Sequence, residues 1–204
     1  MKLYNENNPA PNPRRVRIYL AEKNLTLPLV PIAMRRREHK APEFVAKNSL
    51  GQVPVLELDD GTCISESVAI CRYLEDLHPT PPLFGSTAPE KALVEMWIRR
   101  MEFQIWRPIG MVWRHADPRT AFLGGQFPEF GAANRAQSFA AMGWLDQELS
   151  DGRTYLAGSF YSMADIVGLC GLDFGTFIGL ELPDDCPHLL AWHARISARP
   201  SAAA

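Results

Sequence analysis

What the 204-residue chain lacks narrows its class first. No apolar run approaches the ~20 residues that a membrane span requires, so no membrane partner is expected. Neither sign of charge is in excess. With 21 Lys and Arg against 23 Asp and Glu, the formal net charge is −2, which argues against a nucleic-acid backbone as partner. Cysteine is sparse. Cys63, Cys71, Cys170 and Cys186 show neither a C-x-x-C pair nor zinc spacing, so no metal is expected. They read as small apolar fillers of a reducing compartment, with the cytoplasm as the expected location. Met1-Lys2-Leu3-Tyr4 enters a strand pattern at once, leaving no room for a signal peptide. One local absence bears on chemistry: between Asn5 and Pro13 there is no Ser, Thr, Cys or Tyr.

What is present fits a globular protein, 47% hydrophobic and 22% charged, long enough for two small domains. Met1 to Tyr4 reads as a strand, followed by a Pro/Asn loop. Asn12 is a good N-cap and Pro13 suits a first helical position, so a helix is predicted from Pro13 to Lys23-Asn24. Leu27 to Ala33 is a second strand, and a basic run from Arg35 to Lys40 leads to a short helix over Pro42 to Lys47.

The stretch Leu50 to Asp76 carries the most information. Val53, Val55, Leu56 and Leu58 form an apolar strand pattern, Asp59-Asp60-Gly61 a hairpin turn, and Thr62, Cys63 and Ile64 the return strand. Ser65-Glu66-Ser67 then opens a helix striped with Val68, Ile70, Cys71, Tyr73 and Leu74. Pro54 heads a strand, where it gives up a ladder donor. The serines and Glu66 cluster where a helix presents unpaired N–H groups, a natural seat for a carboxylate.

His78-Pro79-Thr80-Pro81-Pro82 is the clearest boundary, and beyond it only helices are predicted. The first runs from Pro89 to about His115, N-capped by Thr87 and kinked at Pro108. A Gly/Phe/Pro loop over Gly124 to Gly131 precedes a helix from Ala132 to Leu149. Ser162-Met163-Ala164-Asp165 is a capping-box variant opening a helix that is apolar nearly all round. Pro187 to Ala198 closes the chain.

The G-Q-V-P-V-L…D-G…I-S-E-S-x-A-I…Y-L run resembles the glutathione-binding half of the thioredoxin-like domain in glutathione transferases. The S-M-A-D-I start and the A-W-H-A-R-I-S-A-R-P-S segment resemble that family's central and last helices, so the likeness covers nearly the whole chain. It implies an α+β thioredoxin-like domain over 1–77, a linker over 78–87, and an all-α helical bundle over 88–204 that lines the electrophile site. It also implies a cis Pro54, a Val53 backbone that pairs with the cysteinyl unit of glutathione, and Glu66 and Ser67 holding the γ-glutamyl end. His39 matches the position that meets the glycyl carboxylate, with Lys40 and Gln52 in the same binding set. A homodimer is implied, with glutathione as co-substrate and no other cofactor.

The missing hydroxyl is the departure from the family pattern. A free thiol has a pKa of about 8.5, and lowering it by two units takes roughly 2.7 kcal/mol of preference for the anion. The helix N-terminus contributes roughly 0.3–1 kcal/mol. Amides of Asn7 or Asn8, with the backbone N–H groups beside them, supply donors, and an ordered water held by the second domain is a third source. Elimination points to the first loop's amides, with Asn8 or Asn7 donating to the thiolate. Asn12 is already explained by capping, and Tyr4 fits a packed strand residue better than an activator.

The electrophile is expected against the long helix, where Phe103, Arg107, Gly110 or Met111, and Arg114 share a face, with His115 beside it. Conjugation of glutathione to a small hydrophobic electrophile is the first reading. The alternatives are a glutathione-dependent reductase or peroxidase, disfavoured by the lack of a first-loop Cys, and a non-catalytic glutathione- or ligand-binding protein.

Overall fold

A computed structural model describes residues 1–7 and 10–204, which fall into two compact units: residues 1–83 with 200–204, and residues 84–199. In the first unit β1 (Lys2–Asn5), α1 (Pro11–Glu22), β2 (Leu29–Pro31), α2 (Pro42–Val45), β3 (Val55–Glu57), β4 (Cys63–Ser65) and α3 (Ser67–Leu77) follow in order. The sheet order is β2-β1-β3-β4, with β1 parallel to β2 and antiparallel to β3, and β3 antiparallel to β4. This is the thioredoxin-like arrangement. Alternation puts Leu3 and Leu56, which are register partners, into the core with Val16, Ile18, Ile70 and Leu74 from α1 and α3. The opposite face packs Tyr4, Phe44, Val53 and Val55.

The first helix starts earlier than its sequence suggests. Ala10 is the N-cap, Pro11 is the first helical residue, and Arg14 N–H already bonds Ala10 C=O at 3.3 Å. Two prolines compete for the start of this helix, and Ala10 adopts the extended backbone that a following proline favours. Asn12 therefore lies inside the first turn and makes no capping bond.

At the end of this unit a buried polar cluster ties α1 to the proline-rich segment. Tyr19 Oη donates to Glu75 Oε2 at 2.6 Å, while Lys23 Nζ pairs with the same oxygen at 2.6 Å and donates to the carbonyls of His78 and Pro81. Burial and the neighbouring carboxylate push the Tyr19 phenol well above its ordinary value.

The second unit is helical: α4 (Ala88–Arg100), a π-helical segment Met101–Trp106, α5 (Arg107–Ala116), a 3-10 segment Pro118–Leu123, α6 (Pro128–Leu149), α7 (Met163–Phe177) and α8 (Pro187–Ser197). Thr87 and Glu90 form a full capping box at the start of α4, and Ser162 with Asp165 forms another at α7. Pro108 falls in the first turn of α5, directly after the π segment. A proline lacks the N–H for the preceding turn and its ring crowds the carbonyl there, so the chain widens by one residue per turn just before it. α6 begins at Pro128, not Ala132. Gly131 lies inside it, and a Cβ there would come within 2.7 Å of the Ala116 Cβ. That glycine marks a close approach of α6 to α5 and not a loop.

Asp165 is the polar centre of this unit. Fully buried, it accepts from Leu156 N (2.9 Å), Ser162 N and Oγ (each 3.0 Å) and Trp192 Nε1 (3.0 Å). Burial pushes its carboxyl up to about 6 against these bonds. Among the described residues no helix is long and apolar enough to cross a membrane.

Candidate active site

The stretch Gln52–Ser67 builds a pocket within the first unit, lined by Asn12, Asn48, Gln52, Val53, Pro54, Glu66 and Ser67. Its floor is the Val53–Pro54 peptide, which is cis, as the family resemblance implies. Val53 precedes β3 and lies outside the sheet ladders. Among the described residues no hydrogen bond engages its main chain. A free N–H and C=O just ahead of β3 are what an extended peptide needs to pair with the chain.

The far wall is the start of α3. Glu66 sits at φ 70°, ψ 117°, a left-handed conformation that a residue with a Cβ rarely adopts. This turn swings the chain from β4 into the helix, leaving the N–H groups of Ser67, Val68 and Ala69 without intrahelical acceptors. These donors and the helix dipole form a seat for an anion. Ser67 is 5% exposed, and its Oγ accepts from Nη1 of Arg15 on α1 at 3.4 Å. Because a lone pair is taken by Arg15, the hydroxyl proton is left to donate outward. Arg15 itself is 2% exposed. No motif in the sequence singles it out, yet it lies beneath the anion seat. The signal was its spacing on the buried stripe of α1, adjacent to Val16 and one turn before Tyr19.

The near wall is set by Asn48, which sequence reasoning also missed. Its Nδ2 donates to Gln52 C=O at 2.8 Å, its Oδ1 accepts from Leu50 N at 3.1 Å, and its own C=O accepts from Gly51 N at 2.7 Å. The Asn-Ser-Leu-Gly turn was the available clue. Gly51 is at φ 55°, and a Cβ there would lie 2.6 Å from His39 C=O, so this loop presses directly on the 3-10 turn Glu38–Lys40. Lys40 Nζ reinforces the contact by donating to Leu50 C=O at 2.9 Å. His39 and Lys40 thus border the Gln52 side of the pocket without lining it. Burial, then Lys40 and Arg37, hold the His39 imidazole below its ordinary value, and its Nδ1 is buried without a partner.

In the first loop, Asn8 lies outside the described residues. Asn7 is exposed, its Oδ1 accepts from Asn5 Nδ2 at 3.0 Å, and it is not a lining residue. Tyr4 points away from a thiol-activating role. Its hydroxyl donates to Glu57 Oε2 at 2.7 Å, and its ring stands edge-on to Phe44. Lys47, Tyr4 and Lys2 together hold the Glu57 carboxyl at about 2.

In the second unit, Phe103 and Arg107 are exposed while Met111, Arg114 and His115 are half-buried, so the predicted face is not core. The π segment interrupts the strict α-helical spacing between Phe103 and the rest. Arg114 Nη2 donates to Gly124 C=O at 2.6 Å and its Nη1 is buried without a partner. His115 Nδ1 accepts from Phe127 N at 3.3 Å, which places the proton of the neutral ring on Nε2. Phe127 and Phe130 flank the ring at centroid distances of 5.5 and 5.3 Å.

Comparison with known proteins agrees with this geometry. The family model described as the glutathione S-transferase N-terminal domain matches residues 10–77, and the one for the C-terminal domain matches residues 121–200. The chain is 42% identical over 198 residues to glutathione S-transferase 2 of Saccharomyces cerevisiae, covering 94% of this chain and 83% of that protein. The crystal structure of Gtt2 from Saccharomyces cerevisiae superposes with a TM-score of 0.91 at 40% identity, covering 98% of each chain. A probable elongation factor 1-gamma 1 of Arabidopsis thaliana is 32% identical over 166 residues, 80% of this chain and 38% of that protein.

Proposed function

The chain belongs to the glutathione S-transferase family, and from that premise we propose that it joins the thiol of glutathione to a small hydrophobic electrophile. The observation that carries this reading is the pocket itself. It sets a free peptide unit at Val53 next to an anion seat at Ser67, the two features an extended γ-glutamyl tripeptide needs. The cysteinyl unit pairs with the Val53 backbone. Its γ-glutamyl carboxylate takes the Ser67 hydroxyl and the N–H groups of α3, while the Glu66 carboxylate takes the ammonium group. Gln52, His39 and Lys40 meet the glycyl end. The bound thiol gives up its proton to solvent water, and the sulfur forms a C–S bond at the electrophilic carbon. With an aryl halide the halide leaves with the bonding pair; with an unsaturated carbonyl the adjacent carbon takes up a proton.

Thiolate stabilisation comes from the N-terminus of α1 together with amide donors, Asn7 and Asn8 among them. Phe103, Arg107, Met111, Arg114 and His115 receive the electrophile. The protein pairs as a homodimer, and sedimentation at micromolar concentration is expected to give the mass of two chains. The decisive experiment is turnover of an aryl halide measured beside a glutathione titration. Binding with turnover supports the transferase. Binding without turnover supports the ligand-binding alternative, which the hydroxyl-free first loop favours. No binding overturns both.

A further inference from the structure

The arginines that head the basic run are exposed and consecutive. Arg35, Arg36 and Arg37 lie on two successive 3-10 turns, Met34–Arg36 and Glu38–Lys40, joined at Arg37. Arg36 pairs with Glu38 Oε1 at 2.8 Å. Among the described residues Arg35 and Arg37 have neither an ion pair nor a side-chain hydrogen bond. The carboxylates nearby are committed in part to the backbone: Glu38 Oε2 accepts from Ala33 N at 2.7 Å, and Glu6 Oε2 accepts from Met34 N at 2.8 Å. Adjacent like charges repel, and Arg37 also holds a left-handed backbone at φ 59°. The chain as a whole has a net charge of −2, so this concentration of cations is local.

Its place is the edge of the pocket. The Glu38–Lys40 turn presses on Gly51, Lys40 Nζ donates to Leu50 C=O at 2.9 Å, and the next residue, Gln52, lines the pocket. The field of the cluster reaches that edge. After burial, Lys40 and Arg37 are what hold the His39 imidazole below its ordinary value, against the opposing carboxylate of Glu6. Glutathione at neutral pH carries two carboxylates and one ammonium, so it arrives as an anion. Resting on the glutathione-transferase reading above, we infer that Arg35, Arg36 and Arg37 form a capture surface that steers glutathione to the glycyl side of the pocket and raises its association rate without touching it once bound. Steering requires no contact, because charges act over the screening length, ~10 Å at 0.1 M salt. Rim charges change how often a ligand arrives and leave the bonds that hold it unaltered. That separates these arginines from His39 and Lys40, which the reading above assigns to the bound glycyl end.

The test is stopped-flow fluorescence with the bimane thioether of glutathione, for wild type and for the double variant Arg35→Gln, Arg37→Asn. Asn is chosen at position 37 because it tolerates the left-handed backbone. At an ionic strength of about 0.01 M the variant is expected to associate about three- to tenfold more slowly, with its dissociation rate unchanged. Raising the ionic strength to about 0.1 M should slow wild type toward the variant, whose own rate should move little. The glycyl ethyl ester of the same thioether has no net charge and should associate equally fast with both proteins. Equal association rates and equal salt dependence in the two proteins overturn the inference. A variant that alters the dissociation rate alone overturns it as well, since the arginines would then be direct contacts. A lowered thermal midpoint with no change in association rate would make them structural and has the same force. Failure of wild type to bind glutathione itself by calorimetry would instead overturn the transferase reading on which the inference rests.

Discussion

Arg15 on α1 and Ser67 at the start of α3 meet through one buried hydrogen bond, Nη1 to Oγ at 3.4 Å. The pair places a guanidinium behind the anion seat and takes a lone pair of the Ser67 hydroxyl, leaving its proton to donate.

Removing the hydroxyl is the first consequence to measure. A charge-assisted hydrogen bond from a hydroxyl to a carboxylate contributes roughly 1.5–3 kcal/mol. Ser67→Ala is therefore expected to weaken glutathione about tenfold or more by calorimetry, with the circular dichroism spectrum unchanged. Unaltered affinity would take the γ-glutamyl carboxylate away from this position.

Arg15→Met keeps the length of the side chain and removes the donor. Glutathione affinity should fall by about tenfold, and Arg15→Lys should restore only part of it, because a single ammonium cannot reproduce a planar fork. If Lys restores it fully, the effect is general charge and not the geometry of the pair.

The His39 imidazole is held below its ordinary value by burial and by the cations Lys40 and Arg37. In the unliganded protein this component of stability is complete above the ordinary histidine value near 6.5 and is lost as pH falls through the lower folded-state value. A glycyl carboxylate brought to His39 favours the protonated ring. Glutathione binding should then take up a proton and tighten as pH falls from about 8 toward 6. Calorimetry in buffers of different ionisation enthalpy reads that proton directly, and His39→Gln should abolish it. Equal uptake in the variant would assign the proton elsewhere.

Asp165→Ala leaves four buried donors from Leu156, Ser162 and Trp192 without an acceptor. A loss on the order of 3 kcal/mol or more is expected, seen as a fall in thermal midpoint of about 10 °C. The pH dependence has a definite sign. The folded carboxyl sits near 6, above its ordinary 3.8. Its contribution to stability is therefore complete below the ordinary value and declines as pH rises through about 6. Asp165→Asn, which cannot ionise, should lose that slope in denaturant titrations across pH 4–7. A slope that persists belongs to another group.

Local chemistry wrote much of this fold into the sequence. The Asp-Asp-Gly turn, the alternation through Val55–Glu57, the serines ahead of α3, and the capping residues Thr87 and Ser162 each act within a few positions. Their effect can be read without knowing what lies across the fold. The pocket residues from Gln52 to Ser67 were legible for the same reason, being carried on one hairpin and the helix that follows. Tertiary structure alone decided the rest. Which of two nearby prolines opens α1 depended on how Ala10 and its neighbours settle, and that choice moved Asn12 from a cap into the pocket. Arg15 and Ser67 are 52 positions apart, and Tyr4 and Glu57 are 53 apart. Nothing local says that one hydroxyl will be backed by a guanidinium and the other tied to a carboxylate. Such pairings follow from the direction in which each side chain leaves its element once sheet and helices have packed, a consequence of long-range burial that local pattern does not encode.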